Sequence, residues 1–419
     1  MLKESYFSKA LRQAISPLLA ALLLTSITAP AFADDAADDE GGGTALEKIT
    51  GAPVHGFASM GFAEDSSTDN HRRYSRGFYL HNFDLYYSPD LGSRARFLAE
   101  IVFEPDSESQ QPSFDAERLQ AGYVVNKNLT AWVGRFHTPI GYYVLAYHHG
   151  MELQTAAEKP RFLDFEDHYG VVPTHSNGLW LNGNTTLGDQ RIALMAWLAN
   201  SDRITQTSSN YSSLDFNMAH NDNHHLGYGG RVNWIAAGAL DGLQVGVSFV
   251  KETVDYMGNG TPAYSTTGTG ATNDSTTNIN TGTNFVSNFM MYGIHAVYEQ
   301  HGFEFLNEAY GFHDSNLASG TPKDYYNSFA GYSQLAYWIQ GVSAPYIRYE
   351  RAAFNQKDPF FQGQYNGLPY TKGAVGYRYN LTDNAALKLE LSSITFGAKS
   401  NTNIGQAFRD ARVDYSIRF

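Results

Sequence analysis

The residues of this chain that could carry out chemistry are hydroxyl, imidazole and carboxylate side chains, and their spacing decides what they can do. Ser176 directly follows His175. Neighbours on an extended chain point to opposite faces, so this pair does not place a base against a nucleophile. No other motif marks a reactive serine, and we predict that the protein is not an enzyme.

Histidine is the second candidate for chemistry, because the chain contains 14 of them. Those in two long connections are His148, His149, His168, His175, His220, His224 and His225. Adjacent histidines on an extended chain point apart, and neither cysteine nor a regular histidine spacing completes a ligand set. The sequence therefore predicts no metal and no cofactor, with a structural or transported transition metal as the alternative.

Strands must position these residues, as the last segment, 412–419, illustrates. Its apolar side chains alternate with polar ones and would share one face: Val413, Tyr415, Ile417 and Phe419. A soluble sheet would alternate in the same way. The N-terminal segment and the composition are needed to distinguish a membrane barrel from a soluble sheet.

The N-terminal residues 1–33 have the pattern of a secretory signal peptide. Basic residues precede an apolar run at 18–24, and Ala31-Phe32-Ala33 supplies a cleavage pattern. The apolar run is too short to span a bilayer as a helix, although a membrane anchor is the alternative. Residues 34–52 are acidic and glycine-rich, which indicates a flexible extension. The main domain is predicted to cover residues 53–419.

The composition favours a membrane barrel over a soluble domain. Aromatic residues make up 14% of the chain although its mean hydropathy is −0.36, a mixture suited to strands that face lipid on one side and water on the other. No later segment has 18 uninterrupted apolar residues, so helical membrane spans are not expected. The net charge of −13 argues against nucleic acid as a partner.

Period-2 segments bounded by turn residues predict sixteen strands. They begin near Val54, Phe78, Arg94, Ala116, Leu129, Gly178, Gln190, Leu226, Leu243, Ser287, Phe303, Tyr326, Ala344, Tyr370, Ala386 and Phe408. Every second connection is tight and rich in turn residues, and the alternate ones are mostly much longer. Short periplasmic turns that alternate with long extracellular loops are typical of outer-membrane barrels. Charged faces are assigned to the lumen, because a charge facing lipid costs about 2–4 kcal/mol near the midplane.

The connection from His137 to Asn177 is long for a compact domain and is rich in aromatic residues. The segment that leads into it, Gly134 to Gly141, resembles the one before the third loop of the phosphate-selective porin O/P-like family. Members of that family are sixteen-stranded trimeric outer-membrane channels. The resemblance, with strand count and loop parity, extends over about residues 53 to 419.

The resemblance implies that the third external loop folds into the lumen and narrows it. The acidic residues placed at this constriction are Asp164, Glu166 and Asp167. The basic channel-lining residues that could face them are Arg94, Arg96, Arg118 and Arg135. Opposed charges would select permeants by charge; alternatively, the ion pairs hold the loop down. The family also implies an assembly signal in Tyr415, Ile417 and Phe419.

The sequence thus predicts an all-β, transmembrane antiparallel β-barrel of about sixteen strands in the bacterial outer membrane. The predicted function is passive diffusion of small hydrophilic solutes and ions. The expected partners are outer-membrane lipid, the barrel assembly machinery and two further copies in a homotrimer. The alternatives are a substrate-specific channel, for an organic acid or an aromatic compound, and a structural or adhesive barrel with a blocked lumen.

Overall fold

A computed structural model describes the strands and much of the connections between them. The described residues are 54–66, 76–105, 112–148, 152–164, 171–206, 212–215, 225–257, 286–316, 324–358, 360–361, 364, 366–397 and 407–419. The predicted signal peptide and acidic extension, residues 1–33 and 34–52, lie outside them.

The described residues form eighteen strands and three short helical segments. The strands are β1 (Val54–Asp65), β2 (Arg76–Tyr87), β3 (Ala95–Pro105), β4 (Pro112–Asn126), β5 (Leu129–His137), β6 (His175–Leu187), β7 (Gln190–Asn200), β8 (Arg203–Gln206), β9 (Ser212–Asp215), β10 (Leu226–Ile235), β11 (Leu243–Met257), β12 (Val286–Gln300), β13 (Phe303–Asn316), β14 (Tyr325–Tyr337), β15 (Ser343–Ala353), β16 (Tyr370–Thr382), β17 (Ala385–Phe396) and β18 (Ala407–Arg418). The helical segments are the single-turn α1 (Tyr143–Ala146) and the 3₁₀ helices Arg161–Leu163 and Gly238–Leu240. Within this described part, none of the helices has the length and apolar character needed to cross a membrane.

Sixteen of these strands pair with both neighbours and close a barrel. Each is antiparallel to the next along the chain, β7 pairs with β10, and β1 pairs with both β2 and β18. At the seam, Gly56 and Phe419 exchange two backbone hydrogen bonds of 2.8 and 3.0 Å. The short strands β8 and β9 pair with each other within the β7–β10 connection. The predicted sixteen-stranded antiparallel barrel is confirmed.

The connections alternate in length as predicted. The even-to-odd turns, such as 127–128, 188–189, 301–302 and 383–384, are tight, and both ends of the barrel chain lie at the same rim as these turns. His301 and Gly302 both have positive φ, 55° and 81°. This backbone suits a two-residue hairpin, because it matches the twist of the two strands.

The two faces of the wall differ in polarity, as β15 shows. Ile347 and Tyr349 are more than half exposed on the outside, whereas the neighbouring Arg348 and Glu350 are buried inside. On β18, Asp414 and Ser416 are likewise fully buried. The predicted inner position of the charges is seen for Arg348, Glu350 and Asp414, whereas Arg351 of β15 is exposed on the outer face. The outward Ile347 and Tyr349 suit a surface that faces lipid.

Candidate functional site

The connection between β5 and β6 contacts the inner face of the barrel wall through its backbone. The N–H groups of Tyr142 and Tyr143 donate to the Glu308 carboxylate of β13, at 3.1 and 2.7 Å. Further along, Arg161 N–H donates to Glu350 of β15 at 2.8 Å, and the N–H of residue 158 donates to Glu390 of β17 at 3.3 Å. Three inward-facing glutamates therefore hold one connection. Bonds to a charged acceptor are stronger than bonds between neutral groups.

Basic side chains of the same wall donate hydrogen bonds to the backbone and side chain of Glu158 in the connection. Arg348 donates to the Glu158 carbonyl oxygen at 2.6 Å. The Glu158 carboxylate pairs with Lys372 of β16 and with Arg412 of β18. Burial alone would raise the pKa of Glu158, but the charges of Arg412 and Lys372 outweigh burial and hold that pKa well below its usual range. This carboxylate is therefore ionised at neutral pH.

A second ion pair lies nearer the start of the connection. Arg378 of β16 pairs with the Glu152 carboxylate at 2.9 Å and donates to the Gln154 carbonyl oxygen, also at 2.9 Å. Thr155 donates to the carboxylate of Glu304 on β13. Residues 152 to 163 are thus bound to the wall at several successive points.

Aromatic side chains fill the space between the connection and the wall. Phe162 packs edge-on against Tyr310, with ring centroids 5.7 Å apart, and Tyr143 packs against Tyr332 at 6.0 Å. The β15–β16 connection adds a further group of buried rings, which consists of Phe354, Phe360 and Phe361. The described part of the interior therefore contains a packed aromatic cluster on the side of β12 to β15.

The predicted basic residues occupy different places. Arg94 lies beside Tyr123, which is exposed on the outer face, and donates to its hydroxyl at 3.0 Å. Arg96 donates to the backbone carbonyl of Gly92 at 2.8 Å in the β2–β3 turn. These two arginines are therefore held at the short-turn rim, and Arg94 is directed toward the outer face rather than the lumen.

The other two predicted arginines lie deeper. Arg118 pairs with the fully buried Glu100 of β3, and its guanidinium lies 5.3 Å from the Tyr86 ring centroid. Arg135 donates to the Glu117 carbonyl oxygen at 3.0 Å. Their contacts are with β2, β3 and β4.

The predicted acidic group is only partly described. Asp164 directly follows the 3₁₀ helix Arg161–Leu163, whereas Glu166 and Asp167 lie outside the described residues. Sequence reasoning missed Glu152 and Glu158, the loop carboxylates that pair with the wall. The available signal was that Glu152 is an isolated charge among uncharged residues, whereas Glu158 is followed directly by Lys159.

A cluster of histidines also escaped the sequence analysis. His137, His148 and His175 converge on Glu117, all four are buried, and one possible ligand atom of each lies within 4.8 Å of the others. The rings of His137 and His148 stack with centroids 3.7 Å apart, and His175 pairs with the Glu117 carboxylate. These are residues that could hold a metal ion. The expectation that the histidines of this connection point apart did not consider partners from other strands.

Comparisons with known proteins bear on the fold. No protein-family model matches the chain, and no curated protein matches its sequence. The anion-selective porin from Comamonas acidovorans is 11% identical over 87% of this chain and 98% of its own, with a TM-score of 0.51. The outer membrane channel DcaP of Acinetobacter baumannii is 10% identical over 87% and 96%, with a TM-score of 0.52. OmpT, an outer membrane protein of Vibrio cholerae, is 9% identical over 87% and 96%, with a TM-score of 0.51.

These likenesses show the class of fold. The chain forms a barrel of the outer-membrane porin type, closed by sixteen antiparallel strands. An apolar outer face and a charged inner face are what such a barrel requires in a bilayer.

Proposed function

We propose that the protein is an outer-membrane porin, a passive diffusion channel for small hydrophilic solutes and ions, and not an enzyme. The observation that carries this proposal is the binding of the β5–β6 connection to a charged inner wall, through Glu308, Glu350, Arg348, Lys372 and Arg378. A connection bound in this way narrows the lumen but leaves a passage through it. The solved channels with the same fold are consistent with this function.

The proposed constriction carries charges of both signs. Asp164 follows a segment whose backbone is bound to the wall, and we propose that it lines the pore together with Glu166 and Asp167. Arg118 and Arg135 supply positive charge on the opposite part of the wall. Fixed charges in a narrow, poorly screened pore select permeants by charge and dipole.

The finer assignments rest on the sequence. We propose that residues 1–33 are a signal peptide, that the barrel assembles as a homotrimer, and that it is related to the phosphate-selective porin O/P-like family. Tyr415, Ile417 and Phe419 are proposed as the signal for the assembly machinery. In support, the Phe419 ring stacks on Phe83 at 5.7 Å across the closing seam. Deleting Phe419 should lower the amount of heat-modifiable protein in the outer membrane; unchanged assembly would refute the signal.

Single-channel recording in planar bilayers tests the function. We expect stepwise conductance and, under a salt gradient, a reversal potential set by the lining charges. The triple variant Asp164→Asn, Glu166→Gln, Asp167→Asn should shift selectivity toward anions, and Arg118→Gln should shift it toward cations. Both shifts should largely vanish at about 1 M salt, where the Debye length is about 3 Å. Arg94→Gln is the matched control, because Arg94 contacts the outer face.

The aromatic packing in the interior favours one alternative, a barrel whose lumen is blocked. Folded protein that inserts into bilayers without conductance steps would support it and refute the porin. A substrate-specific channel differs from both, because one solute would saturate the conductance or block it at low concentration.

A further inference from the structure

We propose that Glu117, His137, His148 and His175 form a binding site for one divalent transition-metal ion of the zinc class. Three imidazoles and one carboxylate are a donor set that zinc takes in proteins, usually with four-coordinate geometry. Calcium and magnesium prefer oxygen ligands throughout, so this donor set discriminates against them. The site is independent of the proposed channel function.

The distances fit a site that closes slightly on the ion. Zinc lies about 2.0–2.1 Å from imidazole nitrogen and about 2.0–2.2 Å from carboxylate oxygen, so tetrahedral ligand atoms are about 3.3 Å apart. The candidate ligand atoms lie within 4.8 Å of one another. His148 Nε2 is 3.8 Å from Glu117 Oε2. Side-chain rotations, above all of the stacked His137 and His148 rings, would bring the ligand atoms to bonding distance.

The fold brings the four residues together from three strands and one connection. A β-bulge in β4 leaves Glu117 as the extra residue, because Glu100 pairs with Arg118 while Ile101 pairs with Ala116. Bulges re-aim side chains in this manner and occur near functional sites. The last residue of β5, His137, pairs in register with the first residue of β6, His175. His148 then returns from the connection to stack on His137.

The environment also favours an ion over a protonated cluster. The side chains of His137, His148 and His175 are 4% exposed or less, and stacked imidazolium rings would repel each other at this separation. Within the described residues, the Nε2 atom of His137 makes no hydrogen bond and lies 3.8 Å from the Glu100 carboxylate. Glu100, which pairs with Arg118, is a carboxylate of the kind that orients metal-binding histidines.

A bound ion would join both ends of the β5–β6 connection to each other and to β4. The ligands at residues 137 and 175 flank the connection, and the ligand at residue 148 lies within it. Metal binding would therefore fix the entrance and exit of the connection that the opposite wall binds at its middle.

Zinc binding to the purified, EDTA-treated protein in detergent tests the site. We expect one zinc ion per folded chain by elemental analysis, with calcium and magnesium unable to compete. Cobalt in place of zinc should give the intense visible bands of a four-coordinate ion. His148→Ala should weaken zinc binding by more than about 100-fold, beyond the 10–100-fold effect of outer-shell partners, in competition with a chromogenic chelator.

Two further variants serve as a control and as a second test of the site. His313→Ala removes a half-buried histidine that contacts Asn327 and should leave the stoichiometry unchanged. Glu117→Gln retains the shape of the ligand and should also lower affinity, which decides the matter if His148→Ala does not fold by heat-modifiable migration. Absence of stoichiometric zinc in the parent protein, or zinc binding unchanged in a folded ligand variant, would overturn the site. In that case the four residues form only a buried group joined by ion pairs and ring contacts.

Discussion

Two stretches of the inner wall hold the β5–β6 connection, and they do so with different chemistry. The wall from β13 to β18 contacts the middle of the connection with glutamates, arginines and a lysine. One of these residues, Arg348, contacts Glu158, Glu350 and Glu390 at once. At the wall from β4 to β6, Glu117, His137 and His175 converge on His148 of the connection. The first set consists of carboxylates and basic side chains, whereas the second contains three imidazoles that can bind a metal ion.

The first set of contacts needs only the folded chain, whereas the second set can change when a proton or a metal ion binds to the imidazoles. Arginine stays charged at all accessible pH values, and Glu308, Glu350 and Glu390 of the first wall each have a basic or backbone partner. The middle of the connection is therefore held whenever the barrel is folded. Imidazoles bind protons or metal ions, depending on the pH and the metal concentration. The contacts at the ends of the connection can therefore change with these two conditions.

The largest effect is expected from Arg348→Ala, which leaves Glu350 and Glu390 buried without their shared cation. Removing one partner of a buried ionic group costs about 3–5 kcal/mol, because the remaining charges lose compensation. Denaturant unfolding should show this loss, and released loop contacts should raise the single-channel conductance.

Arg351→Ala is the matched control for that variant. Arg351 lies on the same strand but is exposed on the outer face, where a charge does not stabilise the barrel, so its removal should cause no loss of stability. Equal effects of the two variants would show that the network on the β13–β18 wall does not anchor the connection.

The barrel was predictable from the sequence because its signals are local. Period-2 patterns and turn residues located all sixteen barrel strands, and glycine-containing turns such as 301–302 set their alternation. The four-residue strands β8 and β9 were not predicted, since a strand that short carries no measurable period. They fall within the predicted long connection after β7.

The site was less predictable because its contacts join distant parts of the chain. The bulge at Glu117 is defined by the register of β3 against β4, which no residue pattern reveals. The pairing of Glu158 with Arg412 spans most of the barrel sequence. Loop carboxylates and wall cations were expected to face each other, and the described residues show such pairs at Glu152 and Glu158.

A moderate effect is expected where the connection first meets the wall, at Gly141. Its φ is 54°, and a Cβ there would overlap the Tyr310 hydroxyl and the Glu308 carboxylate. Gly141→Ala should therefore cost about 1–3 kcal/mol through backbone strain and displaced contacts. Gly188→Ala is the control, since Gly188 has a similar φ of 60° with open space around it. If both variants lose equal stability in denaturant, the contact with Glu308 contributes nothing beyond backbone strain.

The smallest effect on stability, but a clear one on selectivity, is expected from Glu158→Gln. The amide retains the shape of the side chain, and Lys372 and Arg412 lose one carboxylate partner but keep Glu350 and Asp410, respectively. An unscreened charge about 4 Å from a permeant ion changes that ion's free energy by about 1 kcal/mol even at the dielectric constant of water, which corresponds to about fivefold in permeability ratio toward anions. Reversal potentials at low salt measure it, with Asp189→Asn at an exposed turn as the control.

The pH dependence of that shift tests the ion pairing itself. Because the folded pKa of Glu158 lies below its usual value, its charge and the stability it contributes are fully present above the unfolded pKa of about 4.3. Both are lost only as the pH falls through the lower, folded pKa. The difference in reversal potential between Glu158→Gln and the parent should therefore be the same at pH 7 and pH 4. A difference that shrinks by more than half at pH 4 would mean that Glu158 titrates like an exposed carboxylate, and that Lys372 and Arg412 do not hold it.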